Sequence, residues 1–222
     1  MHYIVVHFLN TYVYTVHIMN NKKKEDTVTL EILQVIDSKK DVTQRHLASR
    51  LDVALGLANS YLKRCVHKGL IKIQQAPANR YFYYLTPKGF SEKSRLTTQY
   101  LSSSFDFYRK ANQSLIEIFK KCEREEKKNI ILCGISELTE ITIIRTHEFP
   151  VLVSGILDFN FEKKEFLKIP VAKRLDAFYD FDMCIITSLE NADEYLDFLY
   201  KNINKEKIMV PSILGTRQEG VN

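Results

Sequence analysis

The sequence predicts an α+β domain, then a long connecting helix, then a small α/β domain with a parallel sheet. Two short helical segments and a pair of β-rich segments follow one another between residues 42 and 85. A helical stretch without internal proline runs from Pro87 towards Lys128, and apolar strands alternate with helices from Asn129 onwards. The predicted boundaries are 1–19 for an apolar leader, 20–86, 87–128 and 129–214 for the three parts, and 215–222 for a tail.

The charge is unevenly divided along the 222 residues. Residues 20–128 carry 22 Lys and Arg against 12 Asp and Glu, whereas residues 129–222 carry 10 against 15. A basic half joined to an acidic half indicates that only the first half meets a polyanion, and a solvated basic face without a partner is the alternative. The four cysteines form no C-x-x-C pair, so we expect buried free thiols in a reducing cytoplasm and no metal site.

Residues 1–19 are apolar but lack the cationic start and the cleavage site of a signal peptide. They are also short and polar for a transmembrane helix. The residues after Met19 look like a natural polar N-terminus, so we expect translation to begin there rather than at Met1. Basic residues follow at Lys22–Lys24, and a membrane tether is the alternative.

Polar capping residues mark the start of the first two helices. Asp26 or Thr27 can cap a first helix that runs to about Ser38, and Asp41 or Thr43 can cap a second.

A third helix is predicted from Ala54 to a stop at Gly69, which favours the left-handed conformation that ends helices. Ala58, Leu62 and Cys65 fall at helical spacing and form an inward stripe. Small, amide-bearing and basic residues on the other side suit close approach to the floor of a major groove. These residues are Leu55, Gly56, Asn59, Ser60 and Lys63.

A β-hairpin is predicted from strands 71–75 and 81–85 around the turn 76–80, which contains Pro and Asn. Arg80 near its tip can reach a phosphate or the minor groove, and a solvated turn charge is the alternative. Two helices, a tight stop and a hairpin in this order are the pattern of a winged helix-turn-helix.

The long helix carries a seam with alternating steps of three and four residues, which is typical of a coiled coil. Asn112 occupies an a position, where a buried Asn often fixes two-strandedness. We interpret this helix as a homodimer stalk, and packing within the chain is the alternative. The seam consists of Phe105, Tyr108, Asn112, Leu115, Phe119 and Cys122.

The second half contains apolar strands at 129–134, 151–158, 181–188 and 208–210, with helices at 135–147 and 191–202. Strands of this kind, alternating with helices, predict a small parallel sheet built from βαβ units.

The first half resembles the MarR-like winged helix-turn-helix regulators, in the branch associated with exopolysaccharide gene clusters. The resemblance rests on Thr43-Gln44-Arg45, Leu47-Ala48, Leu55-Gly56, Asn59, Leu62-Lys63, Lys68-Gly69-Leu70-Ile71-Lys72 and Tyr84-Leu85-Thr86-Pro87-Lys88-Gly89. It implies that residues 55–63 read the DNA, that Gln44 and Arg45 hold phosphates, and that Arg80 belongs to the wing. It also implies control of surface-polysaccharide genes.

The second half resembles the small Rossmann-type nucleotide-binding domain of sugar-modifying enzymes and polysaccharide-synthesis proteins. Gly134-Ile135-Ser136-Glu137 follows the first strand, Asp158 ends the second, and Thr187-Ser188 ends a third. The resemblance implies a nucleotide or nucleotide-sugar ligand at these residues. Only the first glycine of a dinucleotide fingerprint is present, so a degenerate domain that supports the fold is the alternative.

No catalytic set has recognisable spacing, and we expect no enzymatic activity. The leading hypothesis is a cytoplasmic, homodimeric, sequence-specific regulator that binds double-stranded DNA and responds to a small-molecule effector. One alternative is a redox-sensing winged-helix and Rossmann repressor that binds NAD(H). Another is a subunit of a sugar-nucleotide enzyme whose winged domain makes protein contacts.

Overall fold

The computed structural model describes residues 21–38, 42–76 and 80–215, which divide between two compact units, Met1–Ser104 and Phe105–Asn222. The expectations for the leader 1–19, for a cap at Asp41, for the middle of the hairpin turn and for the tail beyond Gly215 lie outside the described residues.

In its described residues, the first unit contains three helices followed by a hairpin. They are α1 (Asn21–Ser38), α2 (Gln44–Arg50), α3 (Leu55–His67), β1 (Ile71–Ala76) and β2 (Arg80–Leu85). The strands pair antiparallel, with Ile71 opposite Leu85. The order predicted from the sequence is confirmed, but the predicted start of α1 at Asp26 or Thr27 is wrong. The helix begins at Asn21, because the lysines that follow are good helix formers and extend it.

Local hydrogen bonds set the ends of α2 and α3. The Thr43 hydroxyl accepts a hydrogen bond from the His46 amide at 3.1 Å and caps α2, as predicted. Gly69 has a φ of +72° and ends α3. Ala58, Leu62 and Cys65 are almost fully buried, which confirms the inward stripe and fixes which face of α3 looks outward.

Helix α4 (Pro87–Arg124) is anchored to the start of β1 by its first turn. The Thr86 hydroxyl donates to the Gly69 carbonyl at 2.7 Å and accepts from the Gly89 amide at 3.0 Å. A Cβ added at Gly89 would lie 2.1 Å from the Leu70 carbonyl oxygen. Only glycine therefore permits this approach of the helix to the strand.

The second unit contains a six-stranded sheet. Its elements after α4 are β3 (Asn129–Cys133), α5 (Glu137–Thr146), β4 (Leu152–Leu157), β5 (Glu165–Phe166), β6 (Ile169–Ala172), β7 (Met183–Ile186), α6 (Ala192–Asn202) and β8 (Ile208–Met209). Three short 3-10 turns, at Leu175–Ala177, Lys205–Lys207 and Ser212–Leu214, complete it.

The strand order is β5-β6-β4-β3-β7-β8, and all neighbours pair in parallel except β5 with β6. The chain therefore starts in the middle of the sheet, builds outward through β4 and β6, and then returns to the other side of β3. The predicted parallel sheet is confirmed. The β5–β6 hairpin was not predicted.

Side chains that alternate along the strands fill two cores, one on each face of the sheet. Ile130 and Leu132 of β3 pack with α4 and α5, whereas Ile131 and Cys133 pack with α6. The sheet thus lies between two helical layers, and all four cysteines are buried free thiols as expected.

The lower half of the predicted dimer seam is wrong. Leu115, Phe119 and Cys122 are completely buried in the core of the second unit. Asn112 accepts a hydrogen bond from the Arg145 guanidinium, so its amide is used within the chain. Because a side chain with no exposed surface cannot contact a second chain, this part of α4 is not a seam between two copies.

Among the helices in the described ranges, none has both the length and the apolar composition that a membrane span requires.

We expect Gly89→Ala to lower the free energy of unfolding by about 1–3 kcal/mol, because the added methyl group meets backbone rather than a flexible side chain. Thermal unfolding by circular dichroism measures this loss. Gly56→Ala is the matched control, since a Cβ at Gly56 meets nothing within 4 Å. Equal melting temperatures for the two variants would contradict the anchoring role of Gly89.

Candidate functional site

The outward face of α3 carries small and basic side chains. Gly56 faces open space, and Lys63 is exposed about two turns further on, with Ser60 half-buried between them. Sequence reasoning missed Arg64 and His67, which are exposed on the same side. The helical spacing from Ser60 to Arg64 and from Lys63 to His67 is the signal that identifies them.

Leu55 and Asn59 lie differently from the sequence-based picture. Leu55 is exposed because it is the first residue of α3, not because it lies at the centre of the outward face. Asn59 lies on the flank, half-buried, and its Oδ1 atom is buried without a hydrogen-bond partner among the described residues. A buried acceptor left unpaired is destabilising, so Asn59 weakens the fold at the place where DNA contacts are predicted.

The remaining predicted contacts lie on α2 and on the hairpin. Arg45 is exposed on α2, and the Gln44 amide nitrogen donates to the Tyr83 hydroxyl at 3.3 Å. This hydrogen bond joins α2 to β2 and holds the Gln44 side chain. Arg80 is the first residue of β2, and its side chain lies outside the described part of the chain.

The cations of this unit differ in their ionic partners. Lys68 forms an ion pair with Glu25 at 2.9 Å and Lys93 with Asp37 at 2.5 Å. Hydrogen bonding between Lys68 and Glu25 raises the pKa of the lysine and lowers that of the glutamate. Within the described ranges, Arg45 and Lys63 form no ion pair with a carboxylate. Their charge is therefore available to a polyanion.

A second candidate site lies between β3 and β7, at the topological switch point where the strand order reverses. The structure brings Gly134, Asp158, Thr187 and Ser188 together at the carboxyl ends of neighbouring strands. Ser136 caps α5, and Glu137 is its first residue. The six predicted ligand-binding residues therefore lie in one place. Open α/β sheets bind their ligands at this position.

Asp158 is buried and accepts three backbone hydrogen bonds. Its Oδ2 atom accepts from the Ile135 amide at 2.8 Å, and its Oδ1 atom accepts from the Asn160 and Phe161 amides at 3.0 and 2.9 Å. Burial, with the Asp158 carboxylate nearby, raises the pKa of Tyr195 and keeps its phenol protonated.

The hydroxyl groups of the crevice also bond within the chain. Ser136 donates to the Thr187 carbonyl at 2.5 Å, while Thr139 and Thr187 donate to the Gly134 carbonyl at 2.7 and 2.6 Å. The Ser188 hydroxyl accepts from the Asn191 amide at 3.1 Å. The predicted residues are brought together, but their hydrogen bonds join the loops of the crevice to one another.

Residues 25–72 match the sequence profile of the winged helix-turn-helix DNA-binding family. A search of curated proteins found no match. The order of three helices and a hairpin agrees with this match, so residues 25–72 are similar in sequence and in fold to a winged helix-turn-helix DNA-binding domain.

The chain is also similar to several solved structures. MepR, a transcription regulator of the Staphylococcus aureus multidrug efflux pump MepA, is 18% identical over 46% of this chain and 76% of its own, with a TM-score of 0.33. Streptococcus pneumoniae FabT in complex with DNA is 21% identical over 66% and 88%, with a TM-score of 0.31. PigF with SAH is 10% identical over 90% and 76%, with a TM-score of 0.33. Scores at this level assign no function.

We expect Asn59→Ala to raise the free energy of unfolding by about 0.5–1 kcal/mol, because it removes an unpaired acceptor and places a better helix former. Asn112→Ala is the matched control, since its amide is hydrogen-bonded to Arg145, and it should lower stability. Thermal unfolding of both variants separates the two cases. A fall in melting temperature for Asn59→Ala as large as that for Asn112→Ala would contradict this account.

Proposed function

We propose that this protein is a homodimeric transcription regulator that binds double-stranded DNA at specific sequences. The observation that carries the proposal is the outward face of α3. In a winged helix-turn-helix, this helix enters the major groove. Here it presents Gly56, Ser60 and Lys63 to the outside, next to the exposed side chain of Leu57.

Two sets of residues divide the work of binding. Arg45 and the wing residue Arg80 neutralise phosphates, which supplies affinity that falls with salt but carries no sequence information. Gly56, Ser60 and Lys63 on the outward face of α3 meet base edges and supply specificity. Gln44, held by Tyr83, places a phosphate contact of α2 in a fixed relation to the wing.

The homodimer is supported by apolar side chains of α4 that the described part of the chain leaves exposed. Leu101 is 47% exposed, Phe105 59% and Tyr108 43%, at steps of four and three residues along one helix. Contiguous exposed apolar residues mark interaction surfaces. In the proposed dimer, the same helix of a second copy covers these side chains. They precede in sequence the part of α4 that is buried in the core of the second unit.

The target genes and the effector complete the proposal. Control of surface-polysaccharide genes rests on the resemblance of residues 43–89 to regulators of such clusters. A small-molecule effector in the Rossmann-like second unit would act by changing the angle between the two winged domains of the dimer.

We expect Lys63→Ala to weaken binding to an operator fragment by about 1–3 kcal/mol, because a charge-assisted contact to a base or phosphate is lost. Electrophoretic mobility shift with genomic fragments, followed by titration of one bound fragment, measures the change. Lys201→Ala is the matched control, since Lys201 is exposed on α6 in the acidic half.

The titration is repeated at several salt concentrations. A phosphate contact at residue 63 lowers the slope of log affinity against log salt by about one, whereas a base contact changes the affinity more for one sequence than for others. Absence of any shifted band at low salt would remove the regulator proposal altogether.

We expect Leu101→Glu to dissociate the dimer, because it places a charge in the proposed apolar contact between two copies of α4. Light scattering coupled to size-exclusion chromatography measures the mass. Leu167→Glu is the control, since Leu167 is 57% exposed at the tip of the β5–β6 hairpin. A wild-type chain that is monomeric at all concentrations would contradict the dimer, as would an unchanged mass for Leu101→Glu.

A further inference from the structure

The turn after β3 is where a doubly wound sheet binds a pyrophosphate. There the free backbone amides and the positive end of the following helix face the anion. The same chemistry would be needed for NAD(H) and for a nucleotide-sugar. Whether this chain can supply it depends on which backbone donors of residues 134–139 are still available.

Five of the six backbone amides of residues 134–139 donate hydrogen bonds to the chain itself. An amide that already donates a good hydrogen bond to protein must break it before it can donate to a phosphate, and a buried acceptor is then left unpaired. The pairs are Gly134 to the Leu157 carbonyl at 2.9 Å, Ile135 to the Asp158 carboxylate at 2.8 Å, Ser136 to the Thr139 hydroxyl at 2.9 Å, Leu138 to the Ser136 hydroxyl at 3.1 Å and Thr139 to the Ser136 carbonyl at 3.0 Å.

The charge at the start of α5 also opposes an anion. Glu137 and Glu140 lie in its first turn. Carboxylates at a helix N-terminus interact favourably with the helix dipole, which is the interaction a phosphate would otherwise make. A diphosphate brought to this turn would meet negative charge instead.

The glycine of the turn is explained without a ligand. Gly134 has a φ of +90°, and a Cβ at this position would lie 2.3 Å from the Ser188 Cβ atom. The missing side chain therefore makes room for the loop after β7, which the Thr187 and Ser136 hydrogen bonds hold against the turn.

The acid that ends the second strand is likewise occupied. In a dinucleotide site this acid binds the ribose hydroxyls. Here both Asp158 oxygens accept backbone hydrogen bonds, and the residue is only 7% exposed. One oxygen holds the turn after β3 and the other holds the loop after β4, so Asp158 joins two loops of the protein.

We propose that the crevice of the second unit is a structural clasp, in which Asp158 holds two loops together and the turn at Gly134 excludes dinucleotides and nucleotide-sugars. The proposal rests on the Rossmann-like part of the proposed function and narrows its effector to compounds that do not place a diphosphate at this turn. It leaves the DNA-binding part unchanged.

The first test is thermal unfolding of the full chain with NAD⁺, NADH or UDP-glucose at millimolar concentration. A ligand that binds the folded state raises the melting temperature by an amount that grows with the logarithm of its concentration divided by its Kd. We expect a change of less than about 1 °C, since no binding energy is available. A rise of several degrees that Asp158→Asn abolishes would overturn the proposal.

The second test separates a clasp from a ligand contact. We expect Asp158→Asn to lower the melting temperature by about 5–10 °C, because three hydrogen bonds lose their charged acceptor. Asp197→Asn on the exposed face of α6 is the matched control and should leave it unchanged. A contact reserved for ribose would leave Asp158→Asn as stable as the control, and that result would also overturn the proposal.

Failure of Asp158→Asn to fold would support the structural role of Asp158. Thermal unfolding of the unmodified chain with the nucleotides still tests whether they bind. Mobility shift of the unmodified chain reports on DNA binding independently. A failure of the clasp is therefore distinguishable from a failure of the regulator proposal.

Discussion

The burial of one half of α4 determines which surface of this helix can contact a partner. The first turn of the helix belongs to the winged unit, where Gly89 meets Leu70, and its later residues Leu115 and Phe119 belong to the core of the sheet unit. The helix therefore contacts the winged unit at its first turn and contributes its later residues to the core of the sheet unit. The residues left for a partner are those that these contacts leave exposed. The exposed apolar side chains around Leu101 and Phe105 are such residues.

The winged unit shows the opposite balance between stability and exposure. Its inner face is closely packed, whereas α3 exposes Gly56 and Lys63 and keeps an unpaired acceptor at Asn59. Glycine in a helix and an unpaired buried oxygen are both destabilising. A helix selected for stability alone would carry neither. Gly56 lies on the face that is proposed to meet DNA, and Asn59 lies on its flank, which is consistent with selection for contact rather than for stability.

Much of the fold could be predicted from local signals, and the failures have physical causes. Thr43, Gly69 and Pro87 marked helix ends correctly, since capping and left-handed stops depend only on neighbouring residues. The β5–β6 hairpin was missed because its two turn residues, Leu167 and Lys168, have positive φ without being Gly, Asn or Asp. The lower half of the predicted dimer seam was wrong because a spacing of three and four residues is the same in both cases. The covering surface can belong to a second copy or to the chain's own sheet.

The same ambiguity applies to the crevice, where the predicted residues did converge but their partners could not be predicted. An Asp at the end of a strand and a Ser at the start of a helix can hydrogen-bond equally well to a ligand or to the backbone. Which partner they take depends on the donors and acceptors that surround them in the fold. In a dinucleotide site a phosphate satisfies the first amides of the helix. In this chain Ser136 and Thr139 do so, as a capping box, and Asp158 satisfies the turn. In the proposed clasp, side chains therefore already hydrogen-bond the groups that a cofactor would stabilise.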